Sequence, residues 1–110
     1  KIDAIESDPD CKLNFNENLK LNNIKEGIQY HEKNVLSWDK FEYDLILANL
    51  NRNVIEKLIT KLHNSKSIII LSGLLGTDYQ AIEKLCNKHR LQVNNKIIKG
   101  EWICIEILPD

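Results

Sequence analysis

The chain has 110 residues, 43% hydrophobic and 28% charged, with 15 Lys and Arg against 16 Asp and Glu for a net charge of −1. This length suits one small domain and this balance an ordinary soluble one. The interspersed signs exclude the clustered basic excess of a general nucleic-acid binder, so no direct nucleic-acid binding is expected.

The longest apolar run, Ile68-Ile69-Ile70-Leu71, falls far short of the ~20 residues of a membrane span, so no membrane partner is expected either. No basic, apolar, small-residue stretch is seen at the start, so secretion is not expected. Cys11, Cys86 and Cys104 show no C-x-x-C spacing, and an odd number of cysteines points to reduced thiols in the cytoplasm. Cys86 and Cys104 read as core residues. His31, His63 and His89 lie at no ligand spacing to one another or to the cysteines, and no metal is expected. The chain lacks Met and opens inside an apolar run, Ile2 to Ile5. Both features give the expectation that it starts within a longer protein.

In chain order, residues 1–6 alternate as a strand. Asp8 then Pro9 predicts a helix start, with an acceptor at the N-cap and proline at the first helical position. The helix runs to about Asn22, with Cys11, Phe15, Asn18 and Asn22 on one face. Ile28 to His31 is a short strand, and 34–41 a loop carrying Trp38. Asp44 to Asn49, DLILAN, reads as a strand buried on both faces of a parallel sheet. Asn51 caps a helix whose stripe is Val54, Ile55, Leu58, Ile59 and Leu62. Ser67 to Leu71 is a further buried strand, ended by a turn at Ser72-Gly73. Thr77 or Asp78 starts a helix with Ala81, Ile82, Leu85, Cys86 and His89 on one face. Residues 92–98 and 102–108 form a hairpin joined at Lys99-Gly100. The order β-α-β-β-α-β-α-β-β implies an α/β fold, a mostly parallel sheet covered on both sides with an antiparallel edge.

In such sheets ligands bind beyond the carboxyl ends of the strands. Glu6 ends the first strand. From position alone it reads as a solvated acid beside a turn, although a carboxylate there can also accept hydrogen bonds from both hydroxyls of a ribose. Asn49 ends the strand 44–49, and two readings stay open: it binds something by its amide, or it helps Asn51 cap the helix. Asn34 and Val35 follow the third strand, where one polar and one apolar contact suit an adenine; the plainer reading is loop. Trp102 alternates with Ile103 and reads as packing. No G-x-G follows any strand, so the glycine turn that a nucleotide site of this kind needs is not supplied.

Several segments together resemble one family. AIESDPD…ENLKLNN, YDLILANLNRNVIEKL, SIIILSGLL and GEW are similar, in order and spacing, to the bacterial methyltransferase of large-subunit ribosomal protein eleven, the PrmA family. The likeness spans essentially the whole chain. It implies a Rossmann-like class I methyltransferase sheet, with residues 1–110 forming a partial domain whose first strand and glycine-rich loop are missing. It implies S-adenosylmethionine as cofactor and amines of a ribosomal protein, on lysine or the N-terminus, as acceptors. By matched position Glu6 binds the cofactor ribose, Asn34 lies near the adenine, and Asn49 sits in the methyl-transfer motif as catalytic and cofactor-binding residue. Glu6 departs from the family's usual Asp by one methylene, and Asn23 stands where Gly is frequent. Without the absent strand, strands 1–6 and 44–49 are expected about 9.6 Å apart, two strand spacings; these residues alone are expected to fold poorly, to fill the gap by rearrangement or by a partner, or to be the visible portion of something longer, and to be inactive. The rival readings are a class I methyltransferase with another acceptor and a non-catalytic remnant. The Asn-Leu-Asn after Ala48 lacks the double proline of glutamine and adenine modifiers.

Overall fold

Capped amphipathic stretches alternating with short apolar runs produce the expected order. In the computed structural model, which describes residues 1–109, the elements are β1 (Ile2–Glu6), α1 (Cys11–Leu21), β2 (Ile28–Glu32), β3 (Leu45–Asn49), α2 (Arg52–Lys61), β4 (Ile68–Leu75), α3 (Tyr79–Lys88), β5 (Gln92–Lys99) and β6 (Trp102–Leu108). They divide between two compact units, Lys1–Trp38 and the chain from Asp39 on.

In the first unit β1 and β2 pair in parallel, from Ile2 opposite Ile28 to Glu6 opposite Glu32. A parallel pair needs a crossover, and α1 supplies it. The Asp8-Pro9 pair does not begin that helix. Asp8 Oδ1 accepts the Asp10 N–H at 2.9 Å and the Asp8 carbonyl accepts from Cys11 at 3.2 Å. Residues 8–11 therefore close a tight turn, and α1 starts at Cys11 after Asp10. A short-range bond from an aspartate to its own backbone competes with the first helical turn. The half-buried face of α1 also differs from expectation. It is Cys11, Phe15 and Leu19, while Asn18 and Asn22 are exposed. Spacings of four keep the apolar residues in line, and Phe15 packs on Tyr30 with ring centroids 4.8 Å apart. His31 finds a partner on the neighbouring strand: its Nε2 lies 2.9 Å from Asp3 Oδ1, with the ring against Trp38 at 4.5 Å.

The second unit holds a four-stranded sheet in the order β3-β4-β6-β5. β3 and β4 are parallel, and β6 runs antiparallel to both β4 and β5, so the C-terminal hairpin is as expected. α2 and α3 bury Ile55, Leu58 and Ile59 and Ile82 and Cys86. The sheet contributes Ile69, Leu71, Leu74, Ile103, Ile105 and Ile107, each no more than 3% exposed. Burial pushes the Cys86 thiol up to about 11, with a smaller contribution from Glu83; it is a neutral core group at any ordinary pH. Cys104, expected in the core, is only half-buried.

The opposite face of this sheet is open. Leu47 is 69%, Ile97 64% and Trp102 55% exposed. The expectation that DLILAN is buried on both faces fails: only Ala48 of β3 is buried. β3 is the outermost strand of this sheet and its pleat sends Leu45 and Leu47 away from α2 and α3. Ser72-Gly73 does not end β4, which continues to Leu75 through a break in register between Leu71 and Leu74.

The stability of the chain is thus concentrated on one side of the second sheet. Ile82→Ala is expected to cost about 2–5 kcal/mol in urea unfolding, whereas Leu13→Ala, at a side chain 71% exposed, is expected to stay within about 0.5 kcal/mol.

Candidate functional site

β3 ends on Asn49, in register with Ser72 of β4. The next residue of β4, Gly73, has φ +80°, a conformation that favours glycine. A Cβ added there would lie 2.6 Å from Asn49 Oδ1 and 2.7 Å from the Leu50 carbonyl oxygen. The bulge in β4 and the absent side chain let the strand backbone reach the turn after β3, and Leu50 N–H donates to the Ser72 carbonyl at 3.3 Å. Two acceptor oxygens, one amide and one backbone, consequently converge over the Gly73 α-carbon.

They border an open cavity of about 680 Å³, whose walls include Ser72, Ile97, Lys99, Trp102 and Cys104. That volume lies within the range of small-molecule and side-chain binding clefts. Cross-strand pairing brings Lys99 opposite Trp102 and Ile97 opposite Cys104 on one face of the hairpin. Trp102 is therefore not packing, as its alternation suggests, but a half-exposed wall of the same groove. The sequence signal for it was the lone aromatic two residues after the Gly100 turn. The helix after Asn49 is capped by Asn51, whose Oδ1 accepts the Val54 N–H at 3.1 Å. Arg52 at the head of α2 pairs with Asp78 at 3.1 Å and Glu56 at 2.8 Å, tying it to the turn before α3.

Glu6 and Asn34 belong to the other unit. Glu6 ends β1, and Asn34 follows β2 by two residues, so both lie at the carboxyl edge of the β1–β2 pair, where the Lys33 N–H donates to the Glu6 carbonyl at 3.0 Å. Glu6 Oε2 accepts the Ser7 N–H at 2.9 Å, and a hydrogen bond to the Glu6 side chain is the first cause that pushes the Cys11 thiol up. Asn34 Oδ1 accepts the Leu36 N–H at 2.9 Å and starts a 3₁₀ turn, Val35–Ser37. That oxygen is committed to the loop, and the Asn34 amide offers a ligand its Nδ2 donors. The structure brings together Asn49, Leu50, Gly73 and Trp102 in one unit, and Glu6 and Asn34 in the other.

A model of the ribosomal protein L11 methyltransferase (PrmA) family matches residues 1–108. The chain belongs to that family. The ribosomal protein L11 methyltransferase of Prochlorococcus marinus (strain MIT 9515) is 32% identical over 97 residues, covering 86% of this chain and 31% of that protein. The one from Lactobacillus johnsonii is 33% identical over 90 residues, covering 79% and 28%. The chain thus spans less than a third of the length of these relatives. The crystal structure of the ribosomal protein L11 methylase from Lactobacillus delbrueckii subsp. bulgaricus matches with a TM-score of 0.88 at 25% identity, over 98% of this chain and 57% of that one. The N-methyltransferase NodS from Bradyrhizobium japonicum, in complex with S-adenosyl-L-homocysteine, matches with a TM-score of 0.66 at 9% identity. The fold is that of a class I methyltransferase, as the PrmA likeness implies. Among the described residues no helix is long and apolar enough to cross a membrane.

Gly73 is the joint of this site. Gly73→Ala is expected to cost about 2–4 kcal/mol, from a left-handed backbone and overpacking together. In a denaturation series on the protein, a loss below about 0.5 kcal/mol would show that the approach to Asn49 and Leu50 is loose.

Proposed function

We propose that this chain carries the ribose, adenine and acceptor contacts of an S-adenosylmethionine-dependent methyltransferase acting on amines of a ribosomal protein. The observation that carries the reading is the convergence of Asn49 Oδ1 and the Leu50 carbonyl oxygen beside Gly73, at the edge of a groove walled by Trp102.

Within PrmA-family ancestry the residues fit the cofactor in part. Glu6 presents a carboxylate at a strand end. The Ser7 N–H and the Cys11 thiol already donate to it, yet a carboxylate has about four lone-pair directions, which leaves capacity for the two hydroxyls of a ribose. Asn34 offers Nδ2 donors, and Val35 beside it is half-buried, suiting the edge and face of an adenine. No G-x-G stands in these 110 residues, so the glycine-rich part of such a site belongs to chain outside them.

The bound cofactor supplies an electrophilic methyl group on a sulfonium. The residues here prepare the amine. A lysine amine has a pKa near ~10.4 and is mostly protonated at neutral pH, so the site must favour the neutral form. Lys99 lines the groove, and a cation there disfavours a second ammonium. Asn49 Oδ1 and the Leu50 carbonyl accept the two hydrogens of a primary amine, which aims its lone pair. The Trp102 indole gives the aliphatic stem an apolar wall. This is catalysis by positioning; the nucleophile belongs to the substrate. The absence of a double proline after Asn49 favours this acceptor over an amide or an adenine.

The test is a methylation assay on the protein expressed from its full coding sequence, with the ribosomal protein as acceptor. Asn49→Ala is expected to lower kcat by ~10²-fold or more, as loss of a positioning contact does, while Glu6→Ala raises the KM for S-adenosylmethionine. An Asn49→Ala enzyme with wild-type turnover would remove Asn49 from the reaction.

A further inference from the structure

Away from the groove, two imidazoles from different helices meet at the ends of α2 and α3. His63 follows Leu62, the C-cap of α2, and His89 is the C-cap of α3. Their Nδ1 atoms are 3.3 Å apart, with the rings at 90° and their centroids 5.5 Å apart. We propose that this pair holds a divalent transition-metal ion of the Zn²⁺ class, bound through the two Nδ1 atoms and clamping the ends of the two helices.

The separation is the argument's core. Zn–N bonds of about 2.0–2.1 Å at the tetrahedral angle span roughly 3.3–3.4 Å between nitrogens, the distance found here. The nitrogens face each other nearly head-on, and turning each ring by roughly 35° makes the lone pairs converge on an ion. The His63 ring is on the surface and the His89 ring half-exposed, so both can turn.

The backbone beneath is fixed. Asn64 N–H donates to the His89 carbonyl at 2.8 Å, and His89 N–H is held by the Leu85 and Cys86 carbonyls. Asn64 and Arg90, with φ of 56° and 58°, turn the chain out of both helices in the same left-handed way. The negative ends of two helix dipoles meet at this point and favour a cation.

Without an ion, two facing Nδ1 atoms share one proton between them, which confines the pair to particular tautomers. With an ion, both neutral rings carry their proton on Nε2 and both Nδ1 lone pairs go to the metal. Two waters leave the ion as the two nitrogens bind. Among the described residues no cluster of three or more His, Cys, Asp or Glu surrounds a common point, so water completes the coordination. Imidazole donors with open water positions rank Cu²⁺ above Zn²⁺ and leave Mn²⁺ weak. The sequence conceals the site because the ligands are 26 positions apart and join only when α2 and α3 end side by side.

The test uses the protein expressed from its full coding sequence, equilibrated with Zn²⁺ against a chromophoric chelator. One Zn²⁺ per chain is expected, and His63→Gln and His89→Gln should each weaken it by roughly tenfold or more, because each removes one of the two protein ligands. In ¹⁵N spectra of the unsubstituted protein, the Nδ1 resonances of His63 and His89 should move on adding Zn²⁺ while Nε2 keeps its proton. This second readout decides the matter even if a variant fails to fold. No uptake of Zn²⁺, uptake unchanged in both variants, or shifts confined to other nitrogens would overturn the site.

Discussion

The edge of the groove at Asn49 and Leu50 rests on one close approach, that of the Gly73 backbone to the turn after β3. Where any other residue would put a Cβ 2.6 Å from Asn49 Oδ1, glycine leaves room. The bulge that creates this approach lies within β4, the strand that pairs with both β3 and β6. β4 therefore ties the end of β3, which carries Asn49, to the hairpin, which carries Trp102. Packing of α2 and α3 on the other face holds β4 in place, so the buried core and the open groove are two sides of one strand.

The parts legible in the sequence were those governed by local periodicity and capping. The stripe on α2, its Asn51 cap, the Ile82 and Cys86 face of α3 (Ala81, expected there too, is exposed) and the hairpin at Gly100 all follow from spacings within a dozen residues. The carboxyl-end positions of Glu6 and Asn49 followed too, because strand ends are fixed by the same patterns. What was not legible depends on which elements meet. Asp8 and Pro9 have the residue types of a helix start, but a tight turn satisfied the same donors two residues earlier. LILA reads as doubly buried, yet β3 stands at the edge of its sheet with Leu47 exposed. Ser72-Gly73 reads as a turn, and only the ladder to β6 shows it to be a bulge inside a continuing strand. Trp102 reads as packing because alternation reveals which residues share a face and not whether anything covers it.

The PrmA-family match and the class I fold explain why a chain this short has such an uneven core. Its first unit has no fully buried side chain, and its second buries one face of its sheet thoroughly and leaves the other open. The relatives are more than three times as long as the matched segment. Glu6 and Asn34 lie in one unit and Asn49 in the other; under the proposed function the first two serve the cofactor and Asn49 the acceptor. The glycine turn that would cradle that cofactor is not among these residues.

Titration calorimetry with S-adenosylmethionine tests this division of the site most directly, comparing residues 1–110 alone with the protein from the full coding sequence. The account predicts saturable one-to-one binding for the full protein and no measurable heat for the 110 residues. Equal binding by both would contradict it, because residues within the 110 would then suffice without a glycine-rich loop.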